Sequence, residues 1–96
     1  SASLDAARGV RADAVQSYDN MLVAAQRIGF ASDAVAAARE DLRVQEARYR
    51  VGASTFLDEV TSQVNLAQAE TSLVQARYDY QIARARLERV LGRELR

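Results

Sequence analysis

Two pairs of carboxylates at neighbouring positions, Glu40–Asp41 and Asp58–Glu59, come nearest to a catalytic arrangement in this chain. Neighbouring residues on a helix point about 100° apart, so neither pair can converge on one proton as an acid/base dyad must. The sequence has no His and no Cys, which removes the usual zinc ligands and activated nucleophiles. Gly52 stands alone and belongs to no phosphate-binding loop. The sequence therefore predicts no catalytic, cofactor or metal site, and we expect a protein that is not an enzyme.

The composition indicates a helical chain with a thin core. The 96 residues include 19 Ala, no Pro and four Gly, so a β or α/β fold would lack the residues for its turns. The 13 Arg balance 13 acidic residues, and zero net charge gives no reason to expect nucleic acid as a partner. No apolar run approaches the roughly 20 residues that span a bilayer, so this chain is not expected to cross a membrane itself. It begins with Ser rather than Met, and we expect either an excised piece of a longer protein or a processed chain.

The elements that must carry any functional surface are helices. From about residue 3 to 49, one apolar stripe recurs at alternating spacings of three and four residues over six heptads, which is typical of a coiled-coil helix. Its members are Ala7, Val10, Ala14, Ser17, Met21, Ala24, Ile28, Ala31, Val35, Ala38, Leu42, Gln45 and Tyr49.

One strong break interrupts the helical pattern, at about residues 50–55. Gly52 suits the left-handed position just past a helix C-terminus, and the positive charge of Arg50 opposes the negative end of the first helix. Thr55 followed by Asp58 resembles a capping box for a second helix. We therefore predict a tight turn between two helices here.

The second helix, at about residues 56–91, carries two apolar stripes. One contains Val60, Val64, Ala67, Thr71, Val74, Tyr78, Ile82 and Ala85. The other, the leucine-rich stripe, contains Leu66, Ala69, Leu73, Ala76, Tyr80, Ala83, Leu87 and Val90. A helix in a two-helix hairpin needs only one stripe, so the other predicts a second helical neighbour. We expect the leucine-rich stripe to be the inter-helix seam that faces this neighbour, through Leu66, Leu73, Tyr80 and Leu87.

The predicted fold class is all-α. Residues 1–96 would form a single antiparallel two-helix coiled-coil hairpin, and the extra stripe would make it a piece of a larger α-helical barrel. Between residues 60 and 76 the only charged side chain is Glu70. The polar positions there, which include Asn65 and Gln68, belong either to an ordinary solvated face or to the lining of a water-filled space.

The residues around the turn follow one another in an ordered pattern. Tyr49-Arg50-Val51-Gly52 is followed by Thr55, the apolar pair Phe56-Leu57, and Asp58. Further along the chain come Ala67-Gln68-Ala69-Glu70, Asp79-Tyr80 and Leu91-Gly92. In this order, the pattern resembles the TolC-like outer-membrane efflux protein family. The resemblance covers about residues 38–92, and the first helix is similar by periodicity only.

The resemblance implies a periplasmic tunnel hairpin of a bacterial outer-membrane efflux or type I secretion channel. Full-length members are homotrimers that act without catalysis of their own, together with a periplasmic adaptor and an inner-membrane pump. The residues that match the adaptor-docking tip are Val51, Gly52 and Ala53. Those that match contacts at the tip and at the tunnel entrance are Tyr49, Thr55 and Asp58.

Two positions depart from the family pattern. Thr61 stands where some members carry a second carboxylate, and Ser54 stands where some carry a basic residue. For this chain the resemblance therefore implies neither a tunnel entrance locked by charge nor a two-carboxylate cation site at the mouth, and charge gating of the entrance stays open. The residues alone leave one alternative function open, an oligomerising coiled-coil interaction module of the adaptor or cytoplasmic type.

Overall fold

Two long α-helices account for nearly all of the structure. A computed structural model describes residues 2–94, in which α1 spans Ala2–Arg50 and α2 spans Phe56–Glu94. α1 extends one residue beyond the predicted range at each end. α2 begins at the predicted residue and ends three residues later than predicted, because Gly92 continues the helix instead of ending it.

The chain clusters into two compact units. The turn unit contains residues Ile28–Gln75, and the terminal unit contains the residues up to Arg27 together with those from Ala76 onward. Each unit contains one segment of α1 and one segment of α2. Because a helix buries its apolar stripe only against another element, the two segments of each unit provide each other's packing surface.

The core of each unit is a narrow seam of small side chains. In the turn unit, Val35 and Ser62 are buried. In the terminal unit, Ala24, Ala76 and Val90 are buried. The predicted stripe of α1 is buried or half-buried at each of its positions from Val10 to Gln45, whereas its end members Ala7 and Tyr49 are exposed. The thin core that the composition indicated is present in both units.

Contacts within the turn unit establish the antiparallel pairing. The Ser62 hydroxyl of α2 donates a hydrogen bond to Asp41 Oδ2 of α1 at 2.8 Å. Farther from the turn, Arg39 Nη2 lies 3.9 Å from Glu70 Oε1. Residues 2–94 contain no strand. The predicted fold class is confirmed, because the chain is an all-α antiparallel coiled-coil hairpin.

Neither helix, over the residues that the structure describes, combines the length and apolar character needed to cross a membrane.

Candidate functional site

The turn between the helices is built by backbone hydrogen bonds that only one residue makes possible. Gly52 has a φ of 75°, and it is the only residue with a positive φ among those described. Its N–H donates to Tyr49 O at 3.1 Å, and the N–H of Ala53 donates to Arg48 O at 2.8 Å. This pair of bonds is the Schellman arrangement that satisfies the last carbonyls of a helix. The prediction that Gly52 takes the left-handed position is confirmed.

The first turn of α2 is closed by a reciprocal pair of hydrogen bonds. Thr55 Oγ1 accepts a bond from the N–H of Asp58 at 3.1 Å, and Asp58 Oδ2 accepts a bond from the N–H of Thr55 at 3.2 Å. This is the predicted capping box, with Asp in place of Glu. Ser54 adds a bond from its hydroxyl to Gln45 O at 3.4 Å, which ties the turn to α1. Both carboxylate oxygens of an Asp can accept, so capping leaves Asp58 one oxygen for other contacts.

The turn exposes a cluster of apolar side chains, which we call the apolar tip. Val51 is 79% exposed, Phe56 62% and Leu57 71%, and the ring of Tyr49 lies beside that of Phe56 with centroids 6.0 Å apart. Large apolar side chains left in water at one place usually mark a surface that binds another protein. The structure thus adds Phe56 and Leu57 to the predicted tip residues. Their signal in the sequence was the apolar pair between Thr55 and Asp58.

The predicted tip residues are brought together, but in two different environments. Val51, Gly52 and Ala53 are exposed to solvent. Thr55 and Asp58 are also exposed, yet each is engaged in capping α2. Docking by the first group and entrance contacts by the second both remain predictions.

The leucine-rich stripe of α2 does not face a second neighbour. Leu66 and Leu73 are half-buried in the turn unit, and Tyr80 and Leu87 are half-buried in the terminal unit. The other helix of each unit is α1, so this stripe is the seam of the hairpin itself. The expectation that it lacks a partner inside the hairpin is wrong. The physical reason is its alternation of large residues with alanines, which fits the alanine-rich stripe of α1.

The stripe left in water is the other one. In the turn unit Val64 is 49% exposed and Val74 65% exposed, and in the terminal unit Tyr78 is 62% exposed. A shallow groove beside it in the turn unit is lined by Val64, Ala67, Gln68, Thr71 and Ser72. We call its exposed positions Val64, Ala67, Thr71, Val74 and Tyr78 the outer stripe. Of the other predicted members, Val60 and Ile82 are half-buried and Ala85 is exposed. A regular apolar stripe without a partner in its own chain predicts a helix from elsewhere.

Titratable groups give no sign of a reactive centre. Arg43 donates two hydrogen bonds to Glu40, from Nε to Oε2 at 3.0 Å and from Nη2 to Oε1 at 2.6 Å. These bonds and the attraction of opposite charges lower the pKa of Glu40 and raise the pKa of Arg43. Both groups are exposed and three residues apart on α1, which is an ordinary surface pair. Among residues 2–94, no three acidic side chains are placed to hold a metal ion.

An exposed apolar tip and an uncovered apolar stripe are typical of a helical hairpin that packs against other chains. A protein-family model described as outer membrane efflux protein matches residues 1–93. The chain belongs to the outer membrane efflux protein family, as the resemblance implied. Members are efflux channels of the outer membrane, oligomeric conduits and not catalysts. No curated protein and no solved structure matches the chain.

Proposed function

We propose that this chain is the periplasmic tunnel segment of an outer-membrane efflux channel, a non-catalytic conduit that works as a homotrimer in the full-length protein. Its apolar tip docks to a periplasmic adaptor, which in turn joins an inner-membrane pump. The family match supports the general class of outer-membrane efflux channel. The tunnel role and the docking role rest on the surfaces described above.

The observation that carries the proposal is the outer stripe. Val74 and Tyr78 are more than half exposed although they recur at helical spacing with Val64. Full burial of a large aliphatic side chain contributes roughly 1.5–3 kcal/mol, and packing another helix against Val74 gains the part of this that its 65% exposure leaves available. A hairpin with apolar contacts both inside and outside packs side by side with its neighbours. Repetition of that contact closes a barrel of helices.

A second surface of α2 suits the lining of a water-filled passage. Asn65, Gln68, Ser72 and Gln75 recur at spacings of three and four residues, and all four are exposed. They lie on neither the leucine-rich stripe nor the outer stripe. Polar, uncharged side chains allow water to fill a passage and do not bind ions tightly. We call these positions the polar stripe.

The apolar tip is the surface proposed for the adaptor. Val51 is the most exposed large apolar residue of the described chain, at 79%. It lies in a turn held by hydrogen bonds, so docking needs little ordering of the backbone. A partner that matches it presents its own apolar tip and excludes water from Val51, Phe56 and Leu57.

The docking role is tested by two substitutions in the full-length protein in cells. Val51→Asp places an unpaired charge on the docking surface, and the turn can keep its backbone geometry. The trimer level should therefore stay normal, and efflux should be lost. Gly52→Val strains the left-handed position and should lower both trimer level and efflux. Trimer level and efflux are measured on the same cells.

Val51→Thr is the matched control, because it keeps the β-branched shape and adds no charge. It should retain trimer level and most of the efflux. If Val51→Asp and Gly52→Val both leave trimer level and efflux unchanged, the tip is not a docking site.

A further inference from the structure

Three arginines on α2 form a charged stripe in the terminal unit. Arg86, Arg89 and Arg93 are spaced by three and four residues, so they lie on one side of the helix, and all three are exposed. Together with Asp13, Gln16, Ser17 and Val90 they line a shallow groove between α2 and α1. We call these three residues the arginine stripe.

Among the described residues, none of the three arginines of the arginine stripe makes an ion pair with an acidic side chain. Glu88 is bonded instead to Arg84 at 3.2 Å, and position 84 is rotated by about 200° from position 86 around the helix. Asp13 lines the same groove, yet no ion pair joins it to any of the three arginines. Like charges three and four residues apart destabilise a helix. Arg93 lies in the last turn of α2, where the helix dipole favours a positive charge, whereas Arg86 and Arg89 have no such compensation within the helix.

The charge balance of the two units supports the same reading. The terminal unit carries nine arginines against six acidic residues, whereas the turn unit carries four arginines against seven. The zero net charge of the whole chain therefore conceals an excess of positive charge in the terminal unit. The arginine stripe accounts for three of its arginines.

The position of the arginine stripe along α2 connects it with the polar stripe. The spacing of three and four that contains Asn65, Gln68, Ser72 and Gln75 continues in the sequence through Asp79 and Ile82 to Arg86, Arg89 and Arg93. The outer stripe and the leucine-rich stripe follow other phases of the same helix. The polar stripe belongs to the turn unit and the arginine stripe to the terminal unit, and Asp79 and Ile82 between them are half-buried. What the two stripes share is their heptad phase in the sequence of α2.

We propose that the arginine stripe lines the conduit and makes this section of it selective for anionic solutes. The inference rests on the proposed tunnel function, because only a lumenal position brings passing solutes close to these charges. Rings of fixed charge set the ion preference of a pore, and walls of low dielectric strengthen their field. Arginine is suited to the task because it stays charged at every working pH and binds oxyanions with paired N–H groups.

The test uses the full-length protein in planar lipid bilayers with a KCl gradient across the membrane. The triple variant Arg86→Gln, Arg89→Gln, Arg93→Gln should lower the chloride-to-potassium permeability ratio by about threefold, read from the reversal potential. The matched control is Arg8→Gln, Arg77→Gln, Arg84→Gln, which removes the same number of charges from the terminal unit at exposed positions outside the groove. The control should leave the ratio at the wild-type value.

A single substitution gives a second readout that folding defects cannot imitate. Arg89→Cys in a cysteine-free full-length protein is treated with thiol reagents of opposite charge. A cationic reagent should restore the chloride preference, and an anionic reagent should reduce it further. The described chain itself contributes no Cys to this background.

The possible failures are distinguishable. If the channel conducts ions but neither the triple variant nor the reagents change the permeability ratio more than the control does, the arginine stripe lies outside the conduit and the inference is overturned. If the full-length protein conducts no ions, the conduit function fails and this inference fails with it.

Discussion

At the scale of single residues, Gly52 controls the geometry of the turn. Its φ of 75° lies in the left-handed region, and nothing lies within 4 Å of the position that a Cβ would occupy. A substitution there therefore meets backbone strain and no steric clash. Gly29 also has open space around the position of a Cβ. It differs from Gly52 because it lies within α1 and has ordinary helical geometry.

We predict opposite effects of alanine at these two glycines. Gly52→Ala should destabilise the chain by about 1–2 kcal/mol, which is the cost of a side chain in the left-handed region. Gly29→Ala should stabilise it by about 0.5–1 kcal/mol, because alanine has less backbone freedom to lose in a helix. Urea unfolding followed by circular dichroism measures both changes. Equal stabilisation by the two substitutions would contradict the assigned role of Gly52.

At the scale of the helices, the phase of α2 decides which apolar stripe packs against α1. Leu73 and Val74 are adjacent in the sequence, yet Leu73 is half-buried and Val74 is 65% exposed. The pair thus reports directly on the orientation of the helix.

We predict that Leu73→Ala destabilises the hairpin by about 1–3 kcal/mol, because it removes apolar contacts within the seam. Val74→Ala should change stability by less than about 0.5 kcal/mol, since its side chain is mostly in water. Thermal or urea unfolding of the two variants measures the difference. The reverse order of effects would mean that the outer stripe, and not the leucine-rich stripe, packs against α1.

Both stripes of α2 were visible in the sequence, but their assignment was not. Each has heptad spacing, so periodicity alone could not say which one meets α1. The seam also begins near the turn with the polar Ser62, which is 4% exposed and is satisfied by Asp41. That bond joins residues 21 positions apart, so no local sequence pattern predicts it. The turn could be predicted from the sequence, because the positive φ of Gly52 and the cap formed by Thr55 and Asp58 depend on residues that are close together in the chain.

At the scale of the whole molecule, exposed apolar side chains outnumber buried ones. The described residues bury four apolar side chains and one serine, and they leave fifteen large apolar side chains exposed. Contiguous exposed apolar surface usually marks a place where a protein associates with another chain.

We predict that the chain self-associates at concentrations on the order of tens of micromolar through the outer stripe. Val64→Gln with Val74→Gln should weaken the association without unfolding the hairpin. Asn65→Gln with Ser72→Gln is the control, because it makes two changes to glutamine on the polar stripe. Sedimentation velocity combined with circular dichroism measures both properties. A well-folded wild-type monomer at these concentrations would contradict the prediction.

The tight turn also predicts an order in which the hairpin folds. Arg48 and Ala53 are five residues apart, Asp41 and Ser62 are 21 apart, and the terminal unit joins segments separated by residues 28–75. Closing a longer loop costs more entropy, so we expect pairing to start at the turn and to proceed from there toward the ends of the chain. Defects at the turn therefore slow folding, whereas defects in the terminal unit mainly speed unfolding. On this expectation, Gly52 is the place where the chain first reverses direction, before the two helices have packed along their length.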